Sequence, residues 1–425
     1  MSNKFSEKIG ALYRIWKRRL FIFFIVTGPG LITAVADNDA GGIATYTVAA
    51  SVYGMASRFL IIPETFLLII TQEIGARIAI VTKKGLGDLI RERFGVKLAL
   101  FIFLLYFITN QGVVLQNVAG LKSSFQIFNL PWQLMLVLTS LFLIFVVIKF
   151  DYKRLQKIFL SMIFFYFAYF VVAVISKPDW GFALKETLIW PVNTKLDINF
   201  WFSRIAVLGT SITAWGQFFI SSYVADKKLS VDHLKYQKVE IYIGALITSV
   251  VSFMIAIAVS ETLFLNNIVV KDGYTAALAL KPLAGDLAQG LFAIGLFGAS
   301  ILGLTIVPLA TAYVFSELFG YEGSLDISFK KGRIFYSFFV IQIILATAIT
   351  LIPQIRLFEL TIYVDYLNGA MLPVIFYFLI LFSENSGIMG KWVTGKFTKY
   401  FLRACAVVIS IAVIVSFIGV IFNIG

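Results

Sequence analysis

Apolar residues fall along this chain in long blocks separated by short polar connections. Blocks at 20–51, 57–82, 98–121, 131–149, 156–176, 202–223, 239–264, 287–318, 334–353, 358–384 and 401–423 are each long enough to cross about 30 Å of hydrocarbon as a helix. The pattern predicts eleven membrane-spanning helices, several of them long enough to tilt or break. Two blocks are interrupted. In the first, the almost pure hydrocarbon of 20–36 runs into Asp37-Asn38-Asp39-Ala40-Gly41-Gly42 near its middle. Charge inside a bilayer costs several kcal/mol and usually marks a substrate or ion path. Adjacent glycines ease unwinding, and an unwound turn frees carbonyls that can coordinate a cation. In the sixth block, Gly209-Thr210-Ser211-Ile212-Thr213-Ala214-Trp215-Gly216-Gln217 is a run of mostly small and polar residues. The two breaks lie five helices apart, which predicts an inverted repeat of five helices with the site between the halves, although the halves share no direct sequence identity. The chain then divides into a cytoplasmic segment (1–19), a first repeat (20–176), an extracellular loop (177–201), a second repeat (202–384), and a loop with an eleventh helix (385–425).

Composition agrees with a polytopic membrane protein. Of 425 residues, 60% are hydrophobic and 14% charged, too few charges for a soluble domain of this size. The net charge of +13 does not point to nucleic acid, because Lys and Arg cluster in alternate connections. Lys17, Arg18 and Arg19, then Lys83 and Lys84, Lys149, Lys153 and Arg154, Lys227 and Lys228, Lys330 and Lys331, and Lys396 and Lys399 all fall on one side. Arg58, Lys122, Lys177, Lys185, Lys271 and Arg356 are the sparser charges of the other. That bias puts the N-terminus in the cytoplasm, and an odd number of spans puts the C-terminus outside the cell membrane. Residues 1–19 are basic and amphipathic without a small-residue cleavage site, and read as interfacial. One cysteine, Cys405, excludes a disulfide within the chain. No phosphate-binding loop, HExxH or cysteine pair occurs, so neither an enzyme nor an ATP-driven pump is expected, and no cofactor.

The polar residues inside the spans are the candidates for chemistry. Asp39 is the first choice as an ion ligand, since carboxylate oxygens suit a hard cation; it also fits as N-cap of the second half-helix, and the two roles are compatible. Asp37 reads as a supporting or cavity-lining group. Thr210, Ser211 and Thr213 offer hydroxyls and carbonyls at the second break, where ordinary helix packing is the alternative. Gln217 is placed to reach the cavity, with Trp215 as its wall. Asp365 in the tenth block, with Asn368 one turn on, is either part of the ion path or a polar lock between helices. Asn110, Gln111, Gln116 and Asn117 of the third block are all neutral, whereas a proton relay needs titratable groups. His233, the only histidine, lies in a loop, and Glu73 with Arg77 are spaced to pair along a helix.

At the two breaks the sequence resembles the Nramp family of divalent-metal transporters. Gly28-Pro29-Gly30 followed by Asp39-Ala40-Gly41-Gly42 and Ala44-Thr45 is similar to that family's first helix. TQEIGARIAIVTKKGLGDLIRERFG (71–95) is similar to the end of its second helix and the loop beyond. Leu208-Gly209 through Ser221-Ser222 sits where the family carries its sixth-helix motif. The resemblance covers the helical core and implies a LeuT-like fold with helices 1 and 6 broken at the midplane.

It also implies a site with substitutions. Asp39 falls on the family's metal-binding Asp, and Gly42 on its Asn ligand. Thr213 falls on its Met ligand and Thr210 on its carbonyl ligand. Ala214 and Trp215 replace a Pro and a His, and Ile220 a second His. Val114 and Asn117 fall on an acidic pair tied to proton coupling, and Asp365 on a Gln. Loss of sulfur favours hard cations. Mg²⁺ keeps some of its water and is often held through one or two carboxylates. The resemblance is thus closest to the family's magnesium-transporting branch. The expected function is transport of Mg²⁺, with Mn²⁺ second, without proton coupling, through a metal site of Asp39, Gly42, Thr210, Thr213 and Asp365. The alternatives are a proton-coupled Mn²⁺ or Fe²⁺ transporter, or a small organic solute carrier of the same fold. The partners are the ion and the lipid bilayer.

Overall fold

The computed structural model describes residues 28–191, 194–270, 273–352 and 361–422. The segment 1–19, Lys271 and Arg356 lie outside the described residues. Helices α1 (Pro29–Ala36) and α2 (Ala40–Tyr53) together form the described part of the first block. Proline at the first position of α1 costs nothing, because that N–H has no partner in the helix. Then follow α3 (Ile61–Thr82), α4 (Leu86–Ile127), α5 (Trp132–Lys149), α6 (Tyr152–Met162), α7 (Phe167–Ile175) and α8 (Trp180–Leu188). The second half runs through α9 (Ile198–Ser211), α10 (Ala214–Asp226), α11 (Leu234–Val259), α12 (Gly273–Phe319), α13 (Arg333–Thr350), α14 (Thr361–Ser383), the short α15 (Ser386–Met389) and α16 (Lys396–Ile421). Ten described helical segments are long and apolar enough to span a membrane, and each coincides with a block of the sequence after the first.

Differences from the expected boundaries arise where glycine turns a helix without ending it. The expected loop before the third span is mostly helix, opened by the Gly85 N–H bonding to Asp88 Oδ2 at 3.3 Å and turned at Gly95 (φ 78°). The connection at 177–201 contains α8, capped by Asp179, which accepts the Phe182 N–H at 3.0 Å.

Burial orders the helices from centre to rim. The broken segment 198–226 is 94% buried over its apolar window, whereas α16 is 17% buried, so the eleventh helix is a peripheral addition. The α4 and α12 helices run along each other, and α9 packs closely on α14. The α9 and α14 backbones come very close at Gly209: a Cβ there would collide with the Asp365 carbonyl and the Gly369 N–H. Backbone contact of this kind, allowed by small residues, is the usual way membrane helices associate. It sets Asp365 beside the second break.

Candidate metal site

Both breaks are built on the same local device. The last turn of α1 closes through the Asn38 N–H to the Val35 carbonyl and the Asp39 N–H to the Ala36 carbonyl, each at 3.1 Å. Asp39 is then extended and caps α2, with its Oδ1 accepting the Gly42 N–H at 3.0 Å. In the second break Ile212 and Thr213 leave helical geometry, and Thr213 caps α10 by accepting the Gly216 N–H at 3.0 Å. A Ser, Thr or Asp at an N-cap satisfies one of the otherwise orphaned N–H groups. Two half-helices therefore begin at one place in the interior, their N-terminal ends marked by a carboxylate and a hydroxyl.

The breaks are joined by a direct bond. Thr213 Oγ1 donates to Asp37 Oδ1 at 2.6 Å, and Gln72 Nε2 from α3 reaches Asp37 Oδ2 at 3.5 Å. Asp37 thus sits at the crossing itself. Asn38 points the other way and donates to the Thr248 carbonyl of α11 at 3.0 Å. Gly42 lets the two breaks pack closely: a Cβ there would stand 2.9 Å from the Asp37 carbonyl and 3.0 Å from Thr210 Oγ1. Asp365 lies on the α14 side, where Thr45 Oγ1 of α2 donates to its Oδ2 at 2.5 Å. All of these groups are buried. Asp39, Gly42, Thr210 and Thr213 fall around the two breaks, and Asp365 joins them through Gly209 and Thr45.

The remaining polar residues divide by whether they have partners. Gln217 is fully buried and its side-chain amide finds no hydrogen-bond partner; the Trp215 indole N–H has none either, whereas Asn368, equally buried, lies against the Asp365 carboxylate. Buried polar groups without protein partners are where ordered water is normally found. Trp215 lies tilted against Phe219, with ring centres 6.4 Å apart and planes at 60°. Ser211 is taken up by Tyr46, its Oγ 3.1 Å from the phenol oxygen. Glu73 and Arg77 do pair along α3, at 3.1 Å.

Asn117 escaped notice in the sequence as a contact. Its Nδ2 donates to Asp39 Oδ2 at 2.7 Å, and its Oδ1 accepts the Ala40 N–H at 3.1 Å. It holds both the carboxylate and the first turn of α2. Thr45 and Gln72 were missed too, because spacing along one helix does not say which residue faces it from another. A polar side chain in an otherwise apolar span was the only signal for all three. Replacing Asn117 by Ala is expected to lower stability by about 2 kcal/mol, since a buried N–H and a carboxylate oxygen lose their partners. The melting temperature of the purified protein checks this; an unchanged midpoint would refute the positioning role.

Among the described residues, no three Asp, Glu, His or Cys side chains converge as a metal cluster. The groups gathered at this crossing are carboxylates, Thr hydroxyls and carbonyls freed by the breaks, all of them oxygen donors.

Three comparisons bear on this arrangement. The family model described as Natural resistance-associated macrophage protein-like matches residues 30–419. The Divalent metal cation transporter MntH of Latilactobacillus sakei subsp. sakei (strain 23K) is 21% identical over 415 residues, covering 92% of this chain and 89% of that protein. A Metal transporter nramp1 homolog of Dictyostelium discoideum is 22% identical over 92% of this chain and 74% of its own length. Among solved structures, the Eremococcus coleocola manganese transporter superposes with a TM-score of 0.73 at 16% identity, over 95% of this chain and 87% of that one. MhsT in complex with L-phenylalanine superposes at 0.58 with 14% identity, over 94% and 98% of the two chains. At these identities the superpositions establish the LeuT-like fold alone.

Proposed function

The chain belongs to the Nramp family, whose members are membrane metal transporters and not enzymes, and from that premise we propose that it carries a hard divalent cation, Mg²⁺ first and Mn²⁺ second, by alternating access without proton coupling. The observation that carries this reading is the donor set at the crossing of α1, α2, α9 and α10. Asp39, Thr210 and Thr213 supply oxygen only, with Asp365 close by and Asp37 behind Thr213. Sulfur and imidazole select softer metals, whereas carboxylate, carbonyl and water suit Mg²⁺ and Mn²⁺. Gly42 brings no side-chain donor to the crossing, and the unpartnered amide of Gln217 suits water kept on a partly hydrated ion. Asp39 and Asp365 are the charged ligands in this proposal, Thr210 and Thr213 the neutral ones, and Asp37, Trp215, Gln217 and Asn368 the surrounding wall.

The group facing Asp39 from α4 is the amide of Asn117, which cannot carry a proton across. Uptake then follows the electrochemical gradient, which favours cation entry by about 2.3 kcal/mol per charge for each 100 mV inside negative. The orientation, with N-terminus in the cytoplasm and C-terminus outside, and the division into repeats at 20–176 and 202–384 belong to the same proposal.

Mn²⁺ uptake into proteoliposomes, with Mg²⁺ as competitor and a pH dye inside, tests it. Strong competition by Mg²⁺ without acidification is the expected result. Uptake that ignores excess Mg²⁺ and carries protons inward would replace this reading by a proton-coupled transition-metal transporter.

A further inference from the structure

Helices α14 and α16 leave an open groove between them on the outside of the bundle. Its charged end, about 470 Å³, is lined by Arg93, Glu384 and Arg403 together with Tyr377 and Ile380. A second cavity of about 480 Å³ continues from it, sharing Tyr377, Ile380 and Arg403, and is almost wholly apolar. On α16 the lining residues are Arg403, Ala406, Val407, Ser410, Ile411 and Ile414. Those spacings of three and four fall on one face of a helix. From Arg403 to Ile414 that face is about 16 Å long at 1.5 Å per residue, close to half of a roughly 30 Å hydrocarbon core. Pro373, Tyr377 and Ile380 of α14, with Glu384 just beyond its end, form the facing wall over the same length. The groove is charged at its end and apolar for one leaflet's depth.

Charge at the mouth has a definite sign. Glu384 Oε2 is bound by Lys399 and Arg403, each at 2.7 Å. One carboxylate thus answers two cations, and Arg93, exposed at the same mouth, has no acidic partner among the described residues. Basic pockets between membrane helices on the cytoplasmic side attract anionic headgroups.

We infer that the α14–α16 groove is a binding site for an anionic phospholipid, with its phosphate at Arg93 and Arg403 and one acyl chain along Tyr377, Val407, Ile411 and Ile414. The inference uses the proposed orientation, in which 385–395 faces the cytoplasm, and is independent of the ion carried. A phosphatidylglycerol of the inner leaflet has both the negative phosphate and the chain that the two parts of the groove require. Its expected role is to hold the peripheral eleventh helix against the second repeat, since α16 buries so little of itself on protein.

The test is native mass spectrometry of the purified full chain with dioleoyl-phosphatidylglycerol or dioleoyl-phosphatidylcholine. Phosphatidylglycerol is expected to be retained in preference to phosphatidylcholine, and millimolar sodium phosphate is expected not to displace it. Arg93→Ala/Arg403→Ala should weaken its retention about thirtyfold, at roughly fivefold per basic residue near a membrane surface. Arg93→Ala alone, which breaks no bond in the fold, should weaken it about fivefold. Ala406→Trp, filling the apolar part, should weaken it without touching a charge. Equal retention of the two lipids, retention unaffected by these variants, displacement by phosphate alone, or a dimer that closes the groove would each overturn the assignment. Mn²⁺ uptake is read separately, so failure of the transport reading leaves this result standing, and the reverse.

Discussion

Mn²⁺ uptake by the Asp39→Ala protein is expected to fall to the background of protein-free liposomes, at least about a hundredfold below the unaltered protein. In the proposed site Asp39 offers the ion a carboxylate on an unwound turn, with Oδ1 on the Gly42 N–H and Oδ2 on Asn117. Each oxygen keeps a further lone pair, so a cation can be taken up while these bonds hold the group in place. A charged contact of about 3 kcal/mol corresponds to roughly a hundredfold in affinity. The substitution also removes the N-cap of α2, at a cost of about 1 kcal/mol, so the melting temperature and elution profile must be measured on the same sample. Asp39→Asn separates the two effects, because its side-chain oxygen still accepts the Gly42 N–H. The outcome that defeats the site is a well-folded Asp39→Ala protein transporting at the original rate.

Selectivity should turn on Thr213. Thr213→Met puts a thioether where a hydroxyl now donates to Asp37 at 2.6 Å. Soft sulfur favours Cd²⁺ and later transition metals over Mg²⁺. Competition by Mg²⁺ against Mn²⁺ uptake is expected to weaken about tenfold and competition by Cd²⁺ to strengthen about tenfold, about 1.4 kcal/mol in each direction. Thr213→Ser keeps both the cap and the donor and should behave as the unaltered protein. An unchanged ratio of Mg²⁺ to Cd²⁺ inhibition in Thr213→Met would place the ion elsewhere in the crossing.

Much of this was readable before any coordinate. A helix in lipid must satisfy its backbone internally, so a run of twenty apolar residues has few alternatives, and the blocks after the first matched the helices. The breaks were legible for the same reason: Asp37, Asp39 and the Gly41-Gly42 pair are costly or weak inside a span unless the chain uses them. The helical stretch at 86–94 was not legible, because its charges and flanking glycines look like a loop in any scan for hydrocarbon.

The sequence by itself determined that this chain crosses a membrane many times, that it is broken at two matching places, and which polar residues those breaks hold. Those are properties of single segments against lipid. Only the tertiary structure decided that Asp37 meets Thr213 across the two breaks, that Asn117 holds Asp39, and that Asp365 reaches Thr45. Which side chains face each other depends on the rotation and approach of packed helices. Contacts such as the one at Gly209 and Gly369 set that approach, and no pattern within one helix encodes it.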